Sequence, residues 1–189
     1  MKTTIYFLRH GEVHNPKQIL YGRLPRFPLS KLGRERIAQA ANELKKKDIK
    51  YIYTSPLLRA RQTGSIAGEV LNLKPRVSSL LTEVNLIFAG ATLDKYHTSI
   101  QASLYSKENI LRGQESIEAI GERMLRFIKY IKAKHKGSKI LVVSHGDPIM
   151  ILRAVTSGNK FTFLYKKSNY LHTAKWLTLV CENNHYVWR

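Results

Sequence analysis

Two short apolar runs, residues 5–8 and 140–143, each stop abruptly at polar groups. Runs of this length bounded by polar or turn residues read as buried strands. The first, residues 2–8, leads into Arg9-His10-Gly11-Glu12, and the second into Ser144-His145-Gly146-Asp147. Two strands that each deliver a histidine followed by glycine form a constellation. If they are parallel neighbours, both imidazoles face one pocket at the carboxyl edge, where open α/β sheets bind ligands.

The rest of the pattern alternates between helix and strand. Ser30 is a plausible cap for a helix through about Lys47, with Leu32, Ile37, Ala40, Ala41 and Leu44 on its apolar side. Tyr51-Ile52-Tyr53 reads as a short strand. Ser55 and Pro56 suit the cap and first position of a second helix, with Leu57, Ala60, Gly64, Ala67 and Leu71 at spacings of three and four. Arg59 falls in its first turn, off that stripe and near the strand ends. Residues 75–78 read as a third strand. Residues 79–113 have weak periodicity and predict loops and short helices over the site. Residues 116–136 carry Ile117, Ile120, Met124, Ile128 and Ile131 on one helical face. Residues 148–155 are apolar on nearly every side and predict a buried helix. The tail alternates over 170–180 and 185–188, with Asn183-Asn184 between, which suggests one or two edge strands. This order predicts one domain over residues 1–189: an α/β, three-layer αβα sandwich with a mostly parallel sheet and an antiparallel edge strand.

Composition adds three constraints. The 189 residues carry 32 Lys and Arg against 13 Asp and Glu, a net charge of +19. Such a chain attracts anions, so on charge alone phosphate esters, nucleic acid and acidic membrane all stay open as partners. The basic runs 45–47 and 132–136 fall at predicted helix ends, where cations suit the macrodipole. One cysteine, Cys181, excludes an internal disulfide and agrees with a reducing compartment. No stretch is long enough to span a bilayer and no signal peptide is evident, so a cytoplasmic protein without membrane attachment is expected.

The chemistry concentrates in a few residues. Arg9, His10, Arg59 and His145 can serve phosphoryl transfer, in which negative charge spreads over three oxygens and is held by positioned donors. Arginine grips phosphate through a planar fork, and a neutral imidazole can attack phosphorus. Neighbouring arginines favour the neutral imidazole. A leaving alkoxide also needs a proton donor. Most acidic residues lie on predicted outer helix faces, which leaves Glu12, Glu83 and Asp147. Glu83 enters from the segment over the pocket and is the preferred donor. The polar loop of residues 9–29 is long enough to be functional and carries Asn15, Gly22 and Arg23. Asn15 is equally at home as a turn residue. Arg61, Thr63 and Ser116 read as structural. His14, His97, His135, His172 and His185 lack metal-ligand spacing to acidic or thiol partners, though His14 or His97, like Phe88 and Tyr96, could line the pocket.

These motifs together resemble the histidine phosphatase superfamily, which includes cofactor-dependent phosphoglycerate mutases. Leu8-Arg9-His10-Gly11-Glu12 resembles its signature, with His10 at the phosphorylated histidine. Thr54-Ser55-Pro56-Leu57-Leu58-Arg59-Ala60-Arg61-Gln62-Thr63 resembles the second motif, Leu81-Thr82-Glu83 the acid position, Gly113-Gln114-Glu115-Ser116 the start of the long helix, and Val143-Ser144-His145-Gly146 the second histidine. Asn15 and Arg23 match loop positions that contact the phosphoryl group; Gly11, Gly22 and Gly146 adjoin the matched residues and join them as phosphate-binding candidates. The resemblance implies a phosphohistidine intermediate and a site without metal or cofactor. Its substrate would be a small phosphorylated metabolite or another phosphomonoester. Residues 84–90, Val-Asn-Leu-Ile-Phe-Ala-Gly, depart from the Gly-x-Trp-Glu-Gly pattern of several branches. The segment 84–113 is also short for a mutase, which must shield its phosphoenzyme from water. Hydrolysis is therefore expected. Mutase activity is the alternative, and a basic anion- or nucleic-acid-binding role on the same fold is the third reading. A homodimer through the C-terminal strands stays open.

Overall fold

The structure is a computed structural model in which residues 2–182 and 185–189 are described. Asn183 and Asn184, expected to separate the last two strands, lie outside the described residues. Strands β1 (Thr3–Arg9), β2 (Tyr51–Thr54), β3 (Pro75–Val77), β4 (Lys139–Ser144), β5 (Trp176–Glu182) and β6 (His185–Trp188) form one sheet in the order β3-β2-β4-β1-β5-β6. The first four positions in that order run parallel. β5 is antiparallel to β1, and β6 is antiparallel to β5. The antiparallel part is therefore two strands wide: β6 is the edge, and β5 lies inside the sheet.

Alternation along the strands makes two cores. Ile5 and Phe7 of β1, Ile140 and Val142 of β4 and Tyr53 of β2 face one side. There they meet α5 (Ile117–Lys134) and α6 (Gly146–Thr156), through Ile120, Met124, Phe127, Ile128, Ile149 and Leu152 among others. Tyr6, Leu8, Leu141, Val143 and Ile52 face the other side, against α1 (Lys31–Lys45) and α2 (Leu58–Leu71). A strand exposes successive side chains to opposite faces, so a continuous apolar run must be covered twice. The sandwich has three layers because β1 and β4 have no polar face to give to water.

Most helices start and stop where capping chemistry dictates. Ser30 caps α1 by accepting from the Gly33 N–H. Ser116 does the same for α5 from Ala119. The expectation for α2 is corrected. Its cap is Leu57, with no side-chain hydrogen bond, and the helix begins at Leu58. Ser55 lies before the helix, where its hydroxyl oxygen accepts the Leu57 N–H at 3.4 Å and lies 2.7 Å from Nε2 of His145. Over the carboxyl edge lie a short turn of helix at Ser79–Leu81, then α3 (Leu93–Lys95) running on through Tyr96–Ile100 and Gln101–Ser103, and α4 (Lys107–Leu111). A further helix, α7 (Phe163–Asn169), has no helical spacing of apolar residues to announce it; Thr162 caps it through the Tyr165 N–H. Tyr170, expected in a strand, falls in the loop between α7 and β5.

Phe127 is wholly buried between α5 and the sheet. Truncating it leaves a cavity that the surrounding aliphatic residues fill only in part. Phe127→Ala should cost about 3–5 kcal/mol in urea unfolding; a loss below about 1 kcal/mol would show that this core face repacks.

Candidate active site

Parallel pairing of β1 with β4 sets Arg9 opposite Ser144. A histidine follows each strand directly, and the His10 N–H donates to the Ser144 carbonyl at 3.1 Å. The two rings come together with centroids 5.1 Å apart. His10 is 1% exposed and His145 not at all. His10 Nδ1 lies 2.7 Å from the Gly11 carbonyl oxygen. A carbonyl can only accept, so Nδ1 carries the proton and Nε2 keeps its lone pair. Arg59 Nε donates to that Nε2 at 3.2 Å. Arg59 is held from two further sides, because Nη2 donates to the Gly22 carbonyl at 2.8 Å and Tyr21 lies over its guanidinium at 4.7 Å. Gly22 has φ +42°, and a Cβ there would press on the Leu86 side chain, so the turn that brings its carbonyl to Arg59 favours glycine.

His145 Nε2 lies 2.7 Å from Ser55 Oγ. Its Nδ1 has no hydrogen-bond partner and faces Glu83 Oε2 at 3.7 Å. The same Glu83 oxygen lies 3.9 Å from Arg59 Nη2. Glu83 is aimed by its other oxygen, which accepts the Val84 N–H at 2.9 Å. Its segment is tied from behind. Ser144 Oγ donates to the Leu81 carbonyl, and Arg123 Nη1 to the Leu80 carbonyl. Glu115 takes the Asn85 N–H and pairs with Arg123 at 2.7 Å.

Arg9 reaches the site along the opposite wall. Its Nη1 donates to the Leu171 carbonyl at 2.8 Å, its guanidinium lies 4.8 Å from the Tyr170 ring centre, and its Nε is buried without a partner. A cleft of about 330 Å³ opens from Arg9, Glu83, Tyr21 and Gly22 towards solvent.

Not every candidate from the sequence converges here. Asn15 holds its own loop, donating to the Ile19 carbonyl at 2.8 Å and accepting the Ile19 N–H. Arg23 is on the surface, where it donates to the Glu83 carbonyl and pairs with Glu115 at 3.0 Å. The Gly11 N–H is taken by Thr63 Oγ1, so Thr63 fixes the first histidine loop to α2. Gly146 opens α6 directly after His145, and any Cβ there would collide with the Tyr170 hydroxyl. Tyr96 and His97 line the cleft, whereas His14 and Phe88 are not among the residues lining it. Arg61 is exposed, as expected of a surface helix arginine.

The chain has matches among known proteins. Residues 5–189 match the family model of the histidine phosphatase superfamily (branch 1). The chain belongs to that superfamily. It is 30% identical over 164 residues to an uncharacterized protein of Mycobacterium tuberculosis, covering 84% of this chain and 81% of the relative. It is 30% identical over 168 residues to phosphoglycerate mutase-like protein 4 of Arabidopsis thaliana, covering 82% and 73%. A mycobacterial glucosyl-3-phosphoglycerate phosphatase has a similar structure, with a TM-score of 0.79 and 25% identity over 100% of this chain and 97% of that one. The protein is a phosphatase-type enzyme of the histidine phosphatase superfamily.

The electrostatics of this histidine phosphatase follow from burial. Desolvation, then Arg59 and Arg9, hold the His10 pKa well below its ordinary value, against a smaller opposing effect of the Gly11 hydrogen bond. Desolvation, then Arg59 and His10, do the same for His145. Burial raises the Glu83 carboxyl despite Arg59, with Asp147 adding to the rise. His10, Glu83 and His145 place donor atoms within 4.8 Å of one another, a spacing that would also suit a metal. A dication there would meet the guanidinium of Arg59, whose charge favours an anion instead.

Four participants escaped the sequence reading: Tyr21, Ser55 as a partner of His145, Lys166 and Tyr170. Asp147 was weighed only as a proton donor. It is instead ion-paired to Lys166 at 2.7 Å and accepts from Tyr105 and Tyr170. For Ser55 the available signal was its place at a strand end, beside the motif that carries Arg59. The others come from loops and a helix with no periodic pattern.

Both imidazoles resist protonation in the folded state. The unfolded chain takes up those protons near pH 6.5, its ordinary histidine value. This stability is therefore complete above that pH and lost as pH falls below it towards the depressed folded values. Replacing His10 by Gln should flatten the decline in urea-unfolding stability between pH 7.5 and 5, by up to about 1.4 kcal/mol per pH unit. An unchanged decline would mean that His10 takes a proton in the folded protein.

Proposed function

We propose that this enzyme hydrolyses phosphomonoesters through a phosphohistidine on His10. The supporting observation is the fixed tautomer of His10: its Nδ1 proton is bound to Gly11, so the Nε2 lone pair faces Arg59, His145 and Glu83. The incoming phosphoryl oxygens take over the Arg59 fork, which turns from His10 to the anion and frees the lone pair. Arg9, whose Nε has no partner, supplies a second guanidinium. With the Ser55 hydroxyl donating to Nε2 of His145, the Nδ1–H of that ring points inward as a further donor.

In the first step the Nε2–P bond forms, the bond from phosphorus to the ester oxygen breaks, and Glu83 gives its proton to the leaving oxygen. The raised pKa of Glu83 suits that duty. In the second step water attacks phosphorus, the carboxylate takes a water proton, the N–P bond breaks and phosphate departs. Atoms and charge balance without a metal or a diffusible cofactor. The substrates would be small phosphorylated metabolites. Nothing in the residues lining the cleft favours a nucleic-acid partner.

Acid quenching cannot preserve an N–P bond, so the intermediate should be trapped by alkaline denaturation during turnover and then released by mild acid. His10→Ala should abolish both trapping and turnover. Arg59→Ala should lower kcat/KM by about 10²–10³, while Arg61→Ala leaves it unchanged and chelators have no effect. Equal losses from the two arginine variants would remove Arg59 from the proposed role. Isomerised phosphoglycerate in place of free phosphate would identify a mutase.

A further inference from the structure

We propose that the leaving group accepted by this site is an uncharged, largely apolar alcohol, and that a second anionic group on the substrate is disfavoured. The proposal rests on the hydrolase reading above and names its substrate class. Beyond Arg9 and Glu83 the cleft wall is built by Ile19, Leu20, Leu86, Leu93, Leu104 and the Tyr96 ring. The alcohol portion of a bound ester would lie against these groups.

The charges in the wall are already matched. Lys166 has three N–H donors, and all three have partners: both oxygens of Asp147, at 2.7 and 2.8 Å, and the Tyr96 hydroxyl at 3.0 Å. Its side chain is 9% exposed, so it cannot turn to solvent for another anion. Arg23 does not line the cleft and is held by Glu115 and the Glu83 carbonyl. His97 stands at the rim, with Nδ1 3.1 Å from Gln101 Oε1. Arg9 is therefore the only unpaired permanent cation among the described residues lining the cleft, and it serves the phosphoryl end. Neither acid in the wall changes this: Asp147 is paired with Lys166, and Glu83 holds the proton meant for the leaving oxygen. A carboxylate or second phosphate on the leaving group would lose its water without gaining a cation. An apolar group loses little and buries its surface against five aliphatic side chains and a ring. The cleft's volume of about 330 Å³ suits a small ring or branched chain.

Primary alkyl esters test this without differences in leaving-group reactivity. The kcat/KM of the full-length enzyme for 2-phenylethyl phosphate and isopentyl phosphate is compared with that for phosphoserine and 3-phosphoglycerate. The apolar esters should be preferred by on the order of tenfold or more. Leu93, half-buried at the lip, provides the variant. Leu93→Lys should narrow the ratio by raising activity on 3-phosphoglycerate and lowering it on 2-phenylethyl phosphate, while Leu93→Met keeps the wild-type ratio. Orthovanadate inhibition and the thermal transition, measured on each variant, report an intact phosphoryl end and fold. Equal or better turnover of the anionic esters overturns the proposal and leaves the hydrolase reading standing. Failure to hydrolyse any ester, with no trapped phosphoenzyme, overturns both.

Discussion

The parallel register of β1 on β4 is the constraint from which the site follows. Ladder pairing sets Arg9 against Ser144, so the next residue of each strand is a histidine at the same height. Because the two chains leave the sheet together, their rings meet at 5.1 Å without any long-range side-chain search. A slip of β1 by one residue against β4 would turn Ile5 and Phe7 towards the wrong layer. The apolar alternation that builds two cores therefore also fixes the distance between two imidazoles. Core and chemistry are specified by the same pairing.

Burial then sets the proton inventory. Arg59, His10 and His145 are almost completely withdrawn from water. Charged imidazoles would be costly there, and both rings are kept neutral by desolvation with two guanidiniums nearby. The same desolvation works in the opposite sense on Glu83 and favours its protonated form. One low-dielectric site thus favours neutral imidazoles and a protonated carboxyl side by side. Asp147 lies close by but behaves differently. Burial opposes its ionisation, yet Lys166 and hydrogen bonds from two tyrosines hold it below its usual range.

The sheet, the long helices and the convergence of Arg9, His10, Arg59, Glu83 and His145 were legible because each sits at a break in a periodic pattern. Apolar runs mark β1 and β4, and polar residues at their ends mark the carboxyl edge. Ser55 was misread as the cap because serine before proline is a good local cap; the helix starts three residues later at Leu58, and the Ser55 hydroxyl meets both the Leu57 N–H and the buried imidazole of His145. Asn15 and Arg23 match motif positions, but their side chains hold loop structure at Ile19 and Glu115. Helix α7 and Tyr170 were hidden for a different reason. Their positions depend on Asp147 and Lys166, which are distant in sequence and pair only after α6 and α7 have docked.

The acid-bearing segment is stapled at both ends by the start of α5. Arg123 holds Leu80, Glu115 holds Asn85, and Gln114 Oε1 accepts the Ile87 N–H at 3.3 Å. Residues 88–113 leave and return between these staples. They form an excursion whose two ends are held independently of its interior, so the position of the Glu83 carboxyl does not depend on what lies between. A substitution inside that excursion can therefore reshape the cleft wall at Leu93, Tyr96 and Leu104 without loosening the anchor of the acid.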